Sequence, residues 1–269
     1  MISDVTCPAC TGQLSPFGQA AVLGHEVQYS ICKQCGLVRT EEPHWLDEAY
    51  DEAISSLDVG LVGRCWALAD WTEAIARSYR PDGRLLDWAG GHGLLTRMLR
   101  DRGLDCWHHD SMAKNIHAVG FEGSLSDDYD LITAFEVLEH LWDPLQTLKD
   151  LAARTEVLLF TTTLLPEPPR VPGSWWYYAP ETGQHVCFHT EASLTWIANT
   201  LGRELLTNGV DRHALVSPGN LGLIGRRIVR SRRFHRVVGP ILRRTGATAS
   251  LTESDAATLR ASVRRSSEG

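Results

Sequence analysis

Four of the seven cysteines in this 269-residue chain stand in two pairs with metal-binding spacing. Cys7 and Cys10 form one C-x2-C pair, and Cys32 and Cys35 form a second pair after 21 intervening residues. Two thiolates three residues apart can hold one metal ion from a tight turn, and two such turns complete a tetrahedral S4 shell that suits Zn2+. Because four cysteines leave no open coordination position, such a zinc ion would be structural. The alternative is two fortuitous pairs of buried thiols.

A second group of residues surrounds a turn between a short apolar strand and an amphipathic helix. The strand ends near Asp87, and the small-residue turn Ala89–Gly93 leads into the helix. The next strand is closed by Asp110, 20 residues after Gly90, where Rossmann-type nucleotide sites place an acidic residue that binds ribose hydroxyls. A dinucleotide fingerprint fails because Thr96 stands at the position of its third glycine. The alternative is a glycine-rich corner without a ligand.

Titratable residues also follow a later predicted strand, which runs from Tyr129 to Phe135. Glu136 and Glu139 are three residues apart, and His140 comes directly after them. Paired carboxylates can perform acid–base chemistry or hold a metal ion. The alternative is the start of a helix, whose positive end favours acidic residues.

A long segment, residues 164–189, is the most informative feature for an acceptor. Loops of this length inside a compact domain are usually functional, and the four consecutive aromatic residues 175–178 could exclude solvent and stack on a ring. His185 lies in the same segment and is a candidate general base, because a near-neutral imidazole accepts protons readily. The alternative is that His185 caps the loop or packs beneath it.

Charge is divided unevenly along the chain, whose net charge is -7. Residues 1–225 hold 15 basic and 30 acidic residues, whereas residues 226–269 hold 11 basic and 3 acidic residues. The acidic body disfavours a nucleic-acid surface. The basic segment could rest on an anionic membrane or dock on an acidic surface of its own or a partner chain. The second interpretation is favoured because Gly239-Pro240 should interrupt a helix, and residues 245–269 are expected to be disordered.

The elements that position these residues alternate between strands and helices. Residues 61–79 have helical periodicity, further helices are predicted at 144–153 and 190–201, and residues 204–217 predict a final hairpin. We therefore expect an α/β fold, a Rossmann-like, doubly wound, mainly parallel seven-stranded sheet preceded by a small zinc ribbon. Its third strand, near residues 119–125, is faint. The predicted divisions are a zinc ribbon at 1–45, a connector at 46–60, a catalytic domain at 61–220 and a basic tail at 221–269.

The expected compartment is the cytoplasm. The mean hydropathy is -0.17, and no run of about 18 apolar residues predicts a transmembrane helix. The first residues lack the basic region and apolar stretch of a signal peptide.

Two of these motifs resemble those of class I S-adenosylmethionine-dependent methyltransferases. The pattern formed by Asp87, Ala89, Gly91 and Gly93 resembles the first motif of that family, with Ala89 in place of its first glycine. The sequence F-E-V-L-E-H at Phe135–His140 resembles the fourth-strand motif of the small-molecule branch. The combination of a four-cysteine zinc domain with such a fold resembles that of sugar C-methyltransferases. His185 resembles the histidine that is the general base in those enzymes.

The resemblance implies two bound groups, S-adenosylmethionine and a structural Zn2+ held by Cys7, Cys10, Cys32 and Cys35. The residues expected to bind the cofactor are Asp87, Ala89, Gly91, Gly93, Asp110 and Phe135. Asp87 would anchor the turn or contact the ammonium group, and Phe135 would contact the cofactor or simply pack in the core. The candidate catalytic residues are His185, Glu136 and His140.

The implied reaction is methyl transfer to a small molecule, a sugar or nucleotide sugar. One alternative is a catalytically silent binding module, which Ala89 supports. Another is an RNA methyltransferase that uses the ribbon for docking, against which the acidic body argues.

Overall fold

The strands and helices alternate as the sequence predicts in this computed structural model, which describes residues 6–50, 58–245 and 249–267. In chain order they are β1 (Leu14–Val22), β2 (His25–Cys32), β3 (Val38–Thr40), α1 (Leu46–Ala49), α2 (Leu61–Tyr79), β4 (Arg84–Trp88), α3 (Leu94–Asp101), β5 (Asp105–His109), β6 (Leu131–Ala134), α4 (Pro144–Ala152), β7 (Val157–Thr161), β8 (Cys187–Phe188), α5 (Glu191–Thr200), β9 (Glu204–Thr207), β10 (Arg212–Val216), α6 (Leu223–Arg230), α7 (Phe234–Thr245) and α8 (Thr252–Ser267). Single 3-10 turns lie at Leu138–His140 and Trp176–Tyr178.

The larger sheet is mixed and has six strands in the order β5-β4-β6-β7-β10-β9. β4 is parallel to β5 and β6, whereas β10 is antiparallel to β7 and β9. All five residues of β7 are buried, as expected for a strand inside a sheet covered on both faces. The predicted α/β fold with an antiparallel last strand is therefore confirmed.

The predicted count of seven strands is wrong for the part of the chain that the structure describes. The segment near residues 119–125 makes only an isolated parallel bridge between His108 and Glu122. Two backbone hydrogen bonds form this bridge. His108 N–H donates to Phe121 O at 2.8 Å, and Gly123 N–H donates to His108 O at 2.7 Å. Gly120, in a left-handed conformation with φ +89°, turns the chain away from an extended path before a ladder can form.

The smaller sheet joins the amino-terminal strands to a distant segment. Its order is β1-β2-β3-β8, with antiparallel pairing throughout. β8 comes from the segment expected to be a loop, and it pairs Phe188 with Val38. Behind this sheet lies a core of ten buried residues: Val22, Val27, Tyr29, Val38, Trp45, Leu165, Tyr177, Tyr178, Val186 and Phe188. The long segment is thus a structural part of this sheet and its core.

Two compact units divide the chain. One combines residues up to 58 with 134–221, and the other combines 59–133 with 222–269. The predicted domain boundaries divide the chain differently and stay a prediction. Most of the predicted connector, residues 51–57, lies outside the described residues.

The basic carboxy-terminal segment is helical where the structure describes it. α7 continues through Pro240, so the predicted interruption at Gly239-Pro240 is wrong. Arg243, beyond the proline, pairs with the buried Glu73 of α2, and this packing outweighs the backbone hydrogen bond that proline removes. α8 lies where disorder was expected, and its Asp255 accepts hydrogen bonds from Arg100 at 2.8 Å. None of the helices in the described ranges has the length and apolar character needed to cross a membrane.

Candidate active site

Asp87 lies beneath the glycine turn at the end of β4 and is only 1% exposed. Its carboxylate accepts hydrogen bonds from the hydroxyls of Thr133 at 2.9 Å and Thr96 at 3.0 Å. Burial raises the pKa of the Asp87 carboxyl above its usual range. A Cβ at Gly90 would lie 2.5 Å from Asp87 Oδ2, so the turn can close over this carboxylate only because glycine stands there. Asp87 is placed to anchor the turn.

The turn itself uses left-handed backbone at every second residue. Ala89, Gly91 and Gly93 have φ values of +54°, +57° and +84°. This conformation costs an alanine about 1–2 kcal/mol, whereas glycine adopts it freely. Ala89 therefore holds backbone strain at the position where the family motif has glycine.

Asp110 connects the end of β5 to this turn. Its Oδ2 accepts the backbone N–H of Gly91 at 2.8 Å, and its Oδ1 accepts those of Met112 and Ala113 at 2.7 Å. Each carboxylate oxygen has about two acceptor positions, so Oδ2 keeps one for a hydroxyl group. The role of Asp110 in binding a ribose stays a prediction, and the contacts present show that Asp110 organises the loop that follows it.

The compact unit that contains residues 134–221 holds a further group of titratable residues. We call it the acid–histidine cluster: Glu139, His140 and His185. One side-chain oxygen or nitrogen from each residue lies within 4.8 Å of those of the other two. The imidazole rings of His140 and His185 meet edge to face at 4.9 Å. The structure thus brings together residues that the sequence separates by 45 positions.

Glu139 is a fully buried member of this cluster. Its Oε1 accepts a hydrogen bond from the Tyr177 hydroxyl at 2.6 Å, and its Oε2 has no hydrogen-bond partner among the residues that the structure describes. Burial and the Glu139 carboxylate raise the pKa of Tyr177 well above its ordinary value, so Tyr177 remains a hydrogen-bond donor. Tyr177 therefore fixes one oxygen of Glu139 and leaves the other open.

His185 is held in one tautomer by its neighbour. Its Nδ1 lies 2.7 Å from the backbone carbonyl oxygen of Tyr177. A carbonyl can only accept, so Nδ1 carries the proton and donates it. In the neutral ring the lone pair is then on Nε2, which is the arrangement that a general base requires.

His140 and Glu136 have different surroundings. His140 Nδ1 lies 2.9 Å from the Tyr50 hydroxyl and 3.1 Å from the Gln184 carbonyl oxygen, and burial, followed by His185, lowers the pKa of His140 to about 3. Glu136 has a left-handed φ of +54° and accepts the hydroxyl hydrogen bond of Thr161 at 2.7 Å. Glu136 is thus tied to β7, outside the cluster of three.

The four consecutive aromatic residues, which the sequence predicts to face an acceptor, differ in their solvent exposure. Tyr177 and Tyr178 are buried, with 2% and 1% exposure, whereas Trp176 is 74% exposed and Trp175 is half-buried. The expectation of four stacking aromatics is therefore wrong for the two tyrosines, because they complete the core behind the smaller sheet. Phe135, the remaining cofactor candidate, is half-buried just after β6.

The four paired cysteines converge as their spacing predicts. All are buried, with Cys7 Sγ 3.6 Å from Cys35 Sγ and Cys10 Sγ 3.4 Å from Cys32 Sγ. A zinc ion with about 2.3 Å bonds to four sulfurs requires sulfur–sulfur distances of roughly 3.8 Å. A Cβ at Gly12 would lie 3.2 Å from two of the sulfurs. The residues therefore fit a tetrahedral zinc site.

Sequence reasoning missed several residues that complete these sites. The hydroxyls of Tyr50, Tyr177, Thr96, Thr133 and Thr161 bind the predicted carboxylates and His140. Tyr50 lies in an acidic stretch without a motif, and the sequence pattern around Tyr177 predicts a role for its aromatic ring alone. No sequence signal distinguished their hydroxyl groups.

Comparison with known proteins identifies the family. Residues 66–208, more than half of the chain, match the methyltransferase domain family. No curated protein matches the chain in sequence. The chain therefore belongs to the methyltransferase domain family.

Solved structures of similar fold share little sequence with it. CalO1, a methyltransferase in calicheamicin biosynthesis in its SAH-bound form, is 15% identical over 65% of this chain and 67% of that chain, with a TM-score of 0.41. The magnesium protoporphyrin IX methyltransferase of Synechocystis PCC 6803 with bound SAH is 15% identical over 64% and 93%, with a TM-score of 0.42. An O-methyltransferase family 2 protein from Planctomyces limnophilus in complex with apigenin is 16% identical over 60% of each chain, with a TM-score of 0.43.

Proposed function

We propose that the chain methylates a small molecule, a sugar or nucleotide sugar, in the cytoplasm, and that His185 accepts the proton of the acceptor. The observation that carries this proposal is the hydrogen bond from His185 Nδ1 to the Tyr177 carbonyl oxygen. It leaves the Nε2 lone pair available in the neutral ring. A general base contributes typically 100- to 10,000-fold to such a reaction.

The residues of the glycine turn would hold the cofactor. Asp110 Oδ2 has an acceptor position left for a ribose hydroxyl, and the amino terminus of α3, which follows Gly93, favours a carboxylate. Asp87 supports the turn from below, while Ala89, Gly91 and Gly93 give its backbone the required shape. When bound, S-adenosylmethionine supplies an electrophilic methyl group and a neutral thioether leaving group.

The acid–histidine cluster would control the protonation of His185. His140, with its lowered pKa of about 3, stays neutral and adds no competing positive charge beside His185. A side-chain oxygen of Glu139 lies within 4.8 Å of a ring nitrogen of each histidine, so its carboxyl group borders the proposed base. Glu136, held by Thr161, is a further candidate for contact with the acceptor.

The four cysteines would hold a structural zinc ion in the same compact unit. Its proposed role is to join the C-x2-C pair before β1 to the C-x2-C pair that begins at the end of β2, so that β3 can pair with β8. The closed S4 shell takes no part in methyl transfer.

The proposal is tested with a panel of acceptors and two readouts. Calorimetric titration with S-adenosylmethionine should show binding, and transfer of its methyl group to a sugar or nucleotide sugar should depend on His185. Binding without transfer to any acceptor would instead indicate the catalytically silent module that the strain at Ala89 favours. Transfer to RNA alone would show that the proposed acceptor class is wrong.

A further inference from the structure

The helices α6 and α7 carry an unusual surface that methyl transfer does not use. No acidic residue occurs between Asp211 and Glu253, while residues 222–245 contain eight arginines. Both helices nevertheless expose large aliphatic side chains: Leu223 at 86%, Ile224 at 48%, Val237 at 68% and Ile241 at 58%. Single exposed aliphatic residues are ordinary, but two pairs among arginines need an explanation.

The outward side of α7 has a definite composition. Val237, Ile241 and Arg244 follow one another at spacings of four and three residues, which places them on one side of α7. Arg233 lies in the turn directly before the helix and is exposed. Arg236 flanks this stripe and is exposed too. We call these five residues the basic face.

The opposite side of α7 is already occupied within its own compact unit. His235 is buried, and Arg243 leaves the basic face to pair with Glu73 of α2. α7 is therefore fixed on the body with its basic face outward. α6 repeats the pattern, because Ile228 and Val229 are buried while Leu223 and Arg227 are exposed.

We propose that the basic face and the exposed end of α6 bind the surface of an anionic lipid bilayer. Arginine side chains pair with phosphate headgroups and can extend toward the interface, while the aliphatic side chains enter the boundary with the acyl chains. This chemistry uses both features of the surface. Phosphates of a nucleic acid would bind the arginines but would leave Val237 and Ile241 in water.

The expected strength follows from the number of cations. Each basic residue near an anionic surface contributes about 1 kcal/mol, which corresponds to roughly a fivefold change in affinity. Removing two arginines should therefore weaken binding about 30-fold, since distant contributions add. Insertion of two aliphatic side chains contributes a part that salt does not screen.

The test is co-sedimentation of the full chain with vesicles. Wild-type protein should bind phosphatidylcholine vesicles rich in phosphatidylglycerol and should not bind pure phosphatidylcholine vesicles. R233Q/R244Q should bind about 30-fold more weakly, and V237S/I241S should also bind more weakly and lose the part of binding that survives high salt. The matched control is R170Q/R260Q, which removes two exposed arginines outside the surface and should bind like wild type.

Three results would overturn the proposal. They are equal binding to both kinds of vesicle, unchanged binding by R233Q/R244Q, and unchanged binding by V237S/I241S. The last result, together with competition by duplex RNA, would identify a purely electrostatic nucleic-acid surface. All substituted residues are exposed, and equal melting temperatures of the variants would show that the fold is retained. Because vesicle binding is measured without an acceptor, its failure leaves the proposed methyl transfer untouched.

Discussion

Two residues after sheet strands hold left-handed backbone that their side chains disfavour. Ala89 follows β4 and Glu136 follows β6, each with φ +54°. Such strain persists where the surrounding structure fixes the conformation, and it is enriched at functional sites. Both residues belong to the two motifs that the sequence singled out. A methyl group is tolerated at this position without cost only where the backbone is unstrained, and φ +54° at Ala89 does not meet that condition.

Replacing Ala89 by glycine should therefore stabilise the protein. Glycine removes about 1–2 kcal/mol of left-handed strain and adds roughly 0.5–1 kcal/mol of unfolded-state entropy, so a net gain of about 0.5–1 kcal/mol is expected. Urea unfolding of Ala89→Gly measures it. The matched control is Ala76→Gly inside α2, which should lose about 1 kcal/mol. Equal losses in both variants would show that Ala89 is not strained.

His185→Ala should reduce turnover by about 100- to 10,000-fold, with little change in affinity for S-adenosylmethionine. His189 is unsuitable as the control because it is fully buried, so the exposed His44 is used in a His44→Ala variant. Steady-state kinetics and calorimetric titration separate the two effects. Near-normal turnover of His185→Ala would refute the proposed base.

The pH dependence of turnover distinguishes the two histidines of the cluster. Only a neutral imidazole accepts a proton, so a rate that falls well above pH 3 would exclude His140 as the base. If His140 were the base, its lowered pKa of about 3 would keep the rate constant until that pH. A rate profile measured on stable protein, with unfolding followed at each pH, decides between them.

At the scale of elements, we expect the proposed metal site to support the smaller sheet, which β8 completes. Cys32 ends β2, and the chain after the second cysteine pair leads into β3, which pairs with β8. Metal analysis should find about one zinc ion per chain. Cys32→Ser should lose the metal and unfold at lower urea concentration, whereas Cys65→Ser, a half-buried cysteine of α2 outside the cluster, should keep it. A fully folded wild-type protein without metal would contradict the proposed site.

β10 carries a buried histidine that makes stability depend on pH. Burial lowers the pKa of His213 to about 4, while an unfolded chain has the ordinary value near 6.5. Between these values the unfolded state binds more protons, so stability is present above about pH 6.5 and is lost as pH falls toward 4. The loss from His213 is on the order of 3 kcal/mol.

His213→Gln should reduce this pH dependence, because glutamine does not titrate. Urea unfolding at neutral and acidic pH should show a smaller loss in this variant than in wild type. His44→Gln, at an exposed position, should keep the wild-type dependence. An unchanged dependence in His213→Gln would assign the effect to other groups, of which the buried His189, with a pKa lowered to about 4, is the first candidate.

Local signals predicted most elements, and long-range pairings were the source of most errors. Periodicity predicted α2 with its observed bounds, and Thr190 caps α5 with a reciprocal capping box to Ser193. β8 could not be predicted, because a two-residue strand exists only through its pairing with β3. The same applies to the Tyr177 hydroxyl, whose partner Glu139 lies 38 residues earlier. Residue types and spacing predict the candidate sites, which stay predictions, whereas the hydrogen-bond partners of those residues come from the fold.

At the scale of the whole molecule, the uneven charge has a structural explanation. Arg243 of the basic segment pairs with Glu73 of the same compact unit. An acidic residue of the same carboxy-terminal region, Asp255 of α8, pairs with the basic residues Arg97 and Arg100 of α3. The sequence left open whether this segment docks on its own chain, and in the described residues it does. Arg233, Arg236 and Arg244 of the basic face lie exposed.

The central claim is that this chain uses S-adenosylmethionine to methylate a sugar-like acceptor. The most direct measurement incubates the protein with methyl-labelled S-adenosylmethionine and a panel of sugars and nucleotide sugars, following both the label and the demethylated cofactor. With wild-type protein we expect equal amounts of labelled acceptor and demethylated cofactor. With His185→Ala we expect both to form at a much lower rate. The contradicting result is wild-type protein that binds no S-adenosylmethionine, or that binds it and labels none of these acceptors.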